Sequence, residues 1–102
     1  MASKIELTAK EKFNALANAK HIFAFKEEET PIRIMEVIDT PDGAKAVVAT
    51  EDGEIQGLFT NSASAISALH EVVACFGDEH PLVLIKIRET AKKQSVYYVE
   101  VI

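Results

Sequence analysis

Residues 59–77, F-T-N-S-A-S-A-I-S-A-L-H-E-V-V-A-C-F-G, carry the clearest helical signal in the chain. With a period of about 3.6, Ile66, Leu69, Val73 and Phe76 fall on one stripe, widened by Ala65 and Val72. Ser64, Ser67, Glu71 and Cys75 point the other way. Asn61 or Ser62 can cap the start, because a short side-chain oxygen accepts an N–H group that the first turn leaves unpaired. Gly77 can close the helix in the left-handed conformation usual just past a helix end. Three β-like runs precede this helix and two follow it, so the fold must place one amphipathic helix between a meander and a hairpin.

Upstream, Thr8-Ala9-Lys10-Glu11 fits a capping box, which predicts a helix lying on the body of the fold through Phe13 and Leu16 and ending near Lys20. Ile22-Phe23-Ala24-Phe25 reads as a short strand or an apolar tether, and Pro31 stops any helix from continuing. Alternation from Ile32 to Ile38 predicts a first strand with Ile32, Ile34 and Ile38 on one side and Arg33, Met35 and Val37 on the other. A Pro41-Asp42-Gly43 turn leads to a second strand, Ala44 to Thr50. Glu51-Asp52-Gly53 leads to a third, Glu54 to Thr60, with Gly57 expected as a bulge or bend. After the helix, Leu82 to Arg88 and Ser95 to Ile102 read as the last two strands.

This order predicts a mainly β domain: a five-stranded OB-like barrel with a helix between strands three and four and an extra N-terminal helix. Residues 1–31 are expected as an N-terminal helix and tether packed on the barrel and residues 32–102 as the OB-like part, a single domain overall. A chain of 102 residues, 48% hydrophobic and 26% charged, suits one core. No apolar run approaches the ~18 residues of a membrane span, and M-A-S-K-I-E-L has no apolar signal core. The single Cys75 excludes an internal disulfide. A cytoplasmic protein with no membrane partner, no small-molecule substrate and no cofactor is expected.

The net charge of −5 argues against wholesale phosphate binding, but it is unevenly spread: Lys86, Arg88, Lys92 and Lys93 outnumber Glu89 and Glu100 beyond residue 80. Strand alternation puts Lys86 and Arg88 on one face, with the Lys92-Lys93 loop at the adjoining end. Single-stranded nucleic acid is held by such a basic groove interleaved with aromatic rings. Of Tyr97 and Tyr98, one faces outward if the other faces the core, and Phe59 and Arg33 are candidates to join from the third and first strands. The simpler alternative is two cations on a solvent face, two in a turn and aromatics packing the core.

The stretch Phe59-Thr60-Asn61-Ser62-Ala63-Ser64, followed by a helix and a K-I-R-x-x-x-K-K-x-S-x-Y-Y hairpin, resembles small single-stranded DNA-binding proteins of phages and prophages of Gram-positive bacteria. The likeness spans about residues 32–102. It implies an OB-fold that coats single strands during replication or recombination, often as a homo-oligomer. It assigns contacts with the strand to Lys86, Arg88, Lys92, Lys93 and Tyr97 or Tyr98. The chain departs from the pattern in lacking a glycine near the hairpin turn and in ending Val99-Glu100-Val101-Ile102 rather than in an acidic tail. Partner recruitment through such a tail is therefore not expected.

Catalytic residues are not expected. His70 borders the apolar stripe and Cys75 lies on the far side of the same helix, so the two cannot act as base and nucleophile. His21 and His80 have no carboxylate or thiol at a metal-ligand spacing, and the acidic turns lack the pattern that wraps calcium. Two other readings compete. One is a protein-interaction or assembly module without nucleic-acid binding, favoured by the acidic charge. The other is a double-stranded-RNA-binding domain over residues 8–76, disfavoured by a second helix that starts A-S-A-I-S-A without a cation.

Overall fold

The computed structural model, which describes residues 8–102, divides the chain into α1 (Ala9–Ala17), β1 (Lys20–His21), α2 (Ile22–Glu27), β2 (Ile32–Thr40), β3 (Gly43–Thr50), β4 (Ile55–Thr60), α3 (Ala63–Phe76), a 3₁₀ turn (Gly77–Glu79), β5 (Leu82–Glu89) and β6 (Ser95–Val101). The five expected strands are present, and Lys20–His21 adds a sixth, parallel to β4. All six form one sheet in the order β1-β4-β3-β2-β5-β6, curled as a half-barrel. β2, β3 and β4 are an antiparallel meander and β5 and β6 an antiparallel hairpin. The two pieces meet only at Ile32↔Val83 and Arg33↔Leu82. The helix between the third and fourth long strands, α3, packs on β2, β3 and β6.

Ala65, Leu69 and Val72 of α3 are buried against Ile32, Ile34, Ala46, Val48, Leu58, Val83 and Ile85 of the sheet. Burying side chains of the Leu and Ile size contributes about 1.5–3 kcal/mol each. Ile22 and Phe25, one helical turn apart in α2, join the same core. The segment expected as a strand or tether is thus a six-residue helix. A four-residue apolar run does not distinguish the two periods, and the cap is unusual: His21 Nδ1 accepts the Phe23 N–H at 3.1 Å.

Two expectations about faces are corrected. In β2 the register shifts between Ile34 and Glu36, so Met35 is an extra residue opposite β3. Beyond it the parity inverts: Val37 packs on the core and Ile38, opposite Lys45, turns outward. Gly57 is not a bulge, since β4 keeps regular pairing through Gly57↔Val47. Its missing side chain instead lets α1 lie directly on the sheet, where a Cβ would run into the Ala15 carbonyl. That close approach turns Ala15 inward and leaves Phe13, expected as the anchor, 72% exposed.

The capping box at Thr8 and Glu11 forms, with the Glu11 N–H donating to Thr8 Oγ1 at 3.1 Å, and α1 ends at Ala17 rather than near Lys20. α1 lies across the outer face of β3 and β4, opposite α3. Lys12 pairs with Glu36 at 2.7 Å, and Lys45 Nζ donates to the Leu16 carbonyl at 3.2 Å. α3 starts at Ser62 without a side-chain cap bond; its Oγ lies 3.0 Å from Ser64 Oγ instead.

Gly57→Ala is expected to cost more than about 2 kcal/mol, because backbone rather than a flexible side chain opposes the new methyl. Chemical denaturation measures the loss, and amide exchange should show α1 released before β3.

Candidate nucleic-acid interface

Pairing from Val83↔Val101 to Glu89↔Ser95 fixes the faces of the last hairpin residue by residue. Val83, Ile85, Tyr97 and Val99 face the core. By alternation Leu84, Lys86, Arg88, Val96, Tyr98 and Glu100 face outward. α1 covers β3 and β4 while α2 and α3 pack on the inner side, so no described helix covers the outer face of β5 and β6.

Lys86 stands directly opposite Tyr98, and the Arg88 guanidinium carbon lies 5.7 Å from the centre of the Tyr98 ring. This is cation–π geometry, worth about 0.5–1 kcal/mol at an exposed site. Lys86 Nζ is 4.0 Å from Glu100 Oε2. An exposed pair of this kind is worth ~0–1 kcal/mol, so phosphate can displace the carboxylate at small cost. Together they form a strip carrying two cations, a tyrosine ring and half-buried Leu84 and Val96.

Tyr97 leaves the candidate set. Its ring packs on the core and its N–H donates to Ser64 Oγ at 3.0 Å. Burial pushes its hydroxyl above the ordinary 10.0. Tyr98 is the outward ring of the two.

Lys92 and Lys93 are exposed in the loop at the hairpin tip. There Thr90 N–H donates to the Gln94 carbonyl at 2.8 Å, Lys93 N–H to the Thr90 carbonyl at 2.9 Å and Gln94 N–H to Thr90 Oγ1 at 3.2 Å. The same three bonds close the loop Thr50–Glu54, where Gly53 takes the left-handed position with φ +87°. In the last hairpin Lys93 itself occupies that position with φ 61°, which is where the expected glycine is replaced.

Arg33 and Phe59 are not brought to the hairpin strip. Arg33 faces outward opposite Leu82, where the two halves of the sheet meet, about 13 Å along the strand from Lys86. Its guanidinium donates to the His80 carbonyl at 2.6 Å, and the His80 ring is 2.9 Å from the Ile34 carbonyl beside the bulge. Because a carbonyl only accepts, His80 Nδ1 carries the proton there. Arg33 and His80 thus fasten the turn before β5 to β2. Phe59 is 39% exposed, but β3, β2 and β5 separate its strand from β6. It lies beside Lys45 and meets the edge of His21 with ring centres 5.2 Å apart.

His70 Nε2 lies 2.9 Å from Asp39 Oδ1, and Cys75 is exposed on the other side of α3. Among the described residues no three His, Cys, Asp or Glu side chains gather as a metal site, and no helix is long and apolar enough to cross a membrane. One groove lay outside the sequence reading: about 420 Å³ between α1 and the start of β4, lined by Glu11, Asn14, Asn18, Lys20, Glu54 and Gln56 among others. Its helical residues look like any solvated face in sequence; only the seating of α1 on Gly57 makes a groove of them. No match to this chain was found among protein-family models, curated proteins or solved structures.

The two matched loops give a paired expectation. Lys93→Gly should stabilise the fold by about 0.5 kcal/mol by relieving left-handed strain, and Gly53→Ala should destabilise it by about 1 kcal/mol; both are read by denaturant midpoints. For Tyr97, the raised native value means that the unfolded chain gives up its proton first. Stability should therefore fall as pH rises past 10.0, and Tyr97→Phe should remove that contribution in thermal melts from pH 9 to pH 11.

Proposed function

We propose that the protein binds single-stranded DNA without sequence preference through the outer face of β5 and β6. The observation that carries this reading is the Lys86–Tyr98–Arg88 group on a strip of sheet that no described helix covers, continuous with Lys92 and Lys93 at the tip. Phosphates would lie along the cations while a base stacks on Tyr98, a combination that tolerates any sequence because every base has a flat face. The sequence resemblance to phage and prophage proteins supports a role in coating single strands during DNA replication or recombination. The finer reading of the fold as an OB-like barrel rests on the strand order β4-β3-β2-β5-β6 with α3 between β4 and β5. OB-folds commonly bind ligands on the face of their second and third strands. Here α1 lies over that face, which favours the hairpin as the contact surface.

A protein-interaction module is the second reading. Half-buried Leu84 and Val96 on the same strip and the 72% exposed Phe13 favour it.

Fluorescence anisotropy of labelled oligo-dT over a salt series separates the two. Nucleic-acid binding requires affinity that falls with salt. The double change Lys86→Ala/Arg88→Ala should flatten the log–log slope by about 1.4, near 0.7 per lost phosphate contact. Tyr98→Ala should weaken binding by about 1–3 kcal/mol with the slope unchanged. Absence of binding at low salt would leave the interaction module as the standing reading.

A further inference from the structure

The outward residues of the last hairpin fall into two parallel rows. Leu84, Lys86 and Arg88 line β5, while Glu100, Tyr98 and Val96 line β6, paired across the strands as Leu84↔Glu100, Lys86↔Tyr98 and Arg88↔Val96. The cations therefore stand on one strand and the ring on the other. Along each row the outward residues recur about every 6.8 Å, close to the spacing of successive phosphates in an extended single strand. Each cation on β5 thus faces one aromatic or apolar side chain on β6, and the combination repeats at the interval of a nucleotide.

This surface is narrow and long. β5 and β6 are the last two strands of the sheet, so only about 10 Å is open across them. On the β2 side, the segment leading into Ile32, which pairs with Val83, carries exposed Glu27, Glu28 and Glu29. Farther along the same side α1 lies over β3 and β4 and reaches β2 through the 2.7 Å Lys12–Glu36 pair. From Lys86 to the loop that holds Lys92 and Lys93, by contrast, the hairpin runs about 17 Å. Its two ends differ in charge. At one stand Leu84 and Glu100, followed on β5 by Leu82, and Arg33 beside Leu82 gives its guanidinium to the His80 carbonyl at 2.6 Å. At the other, the bonds between Thr90 and Gln94 fix the turn that displays Lys92 and Lys93.

We infer that a single strand lies lengthwise along the hairpin, phosphates over β5 and bases over β6, with about one nucleotide to every two residues. One base stacks on Tyr98 and the next rests on Val96. The strand stops at the Glu100 end and leaves past Lys92 and Lys93. About four nucleotides fill this length, the short limit of single-strand site sizes. The inference rests on the nucleic-acid reading above and adds to it a direction, a length and Val96 as a base contact.

Oligo-dT from about two to about twelve nucleotides, titrated by fluorescence anisotropy, should bind more tightly with each added nucleotide up to about four, and beyond that only in proportion to the number of registers. A nitroxide on one end of the oligomer of about four should broaden the amides of Lys92 and Lys93, and on the other end those of Leu84 and Glu100, with Phe13 in α1 unaffected. Val96→Tyr, which sets a second ring in line for the next base, should tighten that oligomer about fivefold or more at an unchanged salt slope. Affinity that climbs steadily to the longest oligomer, equal broadening of both hairpin ends by either label, or no gain in Val96→Tyr would overturn the lengthwise path while leaving the binding face standing. No binding of the longest oligomer at low salt would overturn the path and the face together.

Discussion

The contact between α3 and the inner face of an open, curled sheet holds the rest in place. The meander and the hairpin share only two residue pairs, Ile32↔Val83 and Arg33↔Leu82, too few to fix the angle between them. The wedge of Ala65, Leu69 and Val72 touches both pieces, with Ile22 and Phe25 of α2 filling the same core. Polar fastenings reinforce the join on either side. Ser64 holds the backbone of β6, and Arg33 with His80 ties the turn before β5 to β2 at its bulge.

That arrangement divides the outer surface. α1 sits on β3 and β4 because Gly57 admits its backbone, so the middle of the sheet is buried on both faces, as Val47 and Ala49 show beside Ala46 and Val48. β5 and β6 extend past the start of β2 and carry their outward side chains into solvent. Four of the eleven Lys and Arg residues of an acidic chain, Lys86, Arg88, Lys92 and Lys93, are thus displayed on a strip, and at its tip, that no described helix covers. Function is proposed from that placement: charge and an aromatic face where a long flexible anion can reach them.

Much of the secondary structure was legible because its periods are long and cleanly bounded. Residues 63–76 and the five long strands stand within a few residues of where alternation, Gly and Pro put them. The departures have local causes. A histidine cap and a four-residue apolar run hid α2, a single inserted residue at Met35 exchanged Val37 for Ile38, and a glycine that reads as a bend turned out to be a landing site for a helix. The candidate site was legible only in part. Alternation put Lys86 and Arg88 on one face, but which tyrosine joins them depends on the phase set by α3, and the distance of Phe59 and Arg33 depends on strand order, which periodicity does not encode.

The account stands on the outer face of β5 and β6 being the surface that meets a single strand. Titration of isotopically labelled protein with unlabelled oligo-dT, followed by amide and side-chain chemical shifts, tests this residue by residue. The expected result is a set of shifts centred on Lys86, Arg88, Lys92, Lys93 and Tyr98, with the Arg88 guanidinium moving with the Tyr98 ring and Leu69 in α3 undisturbed. Shifts confined to the groove between α1 and β4, or none at saturating oligonucleotide, would contradict it.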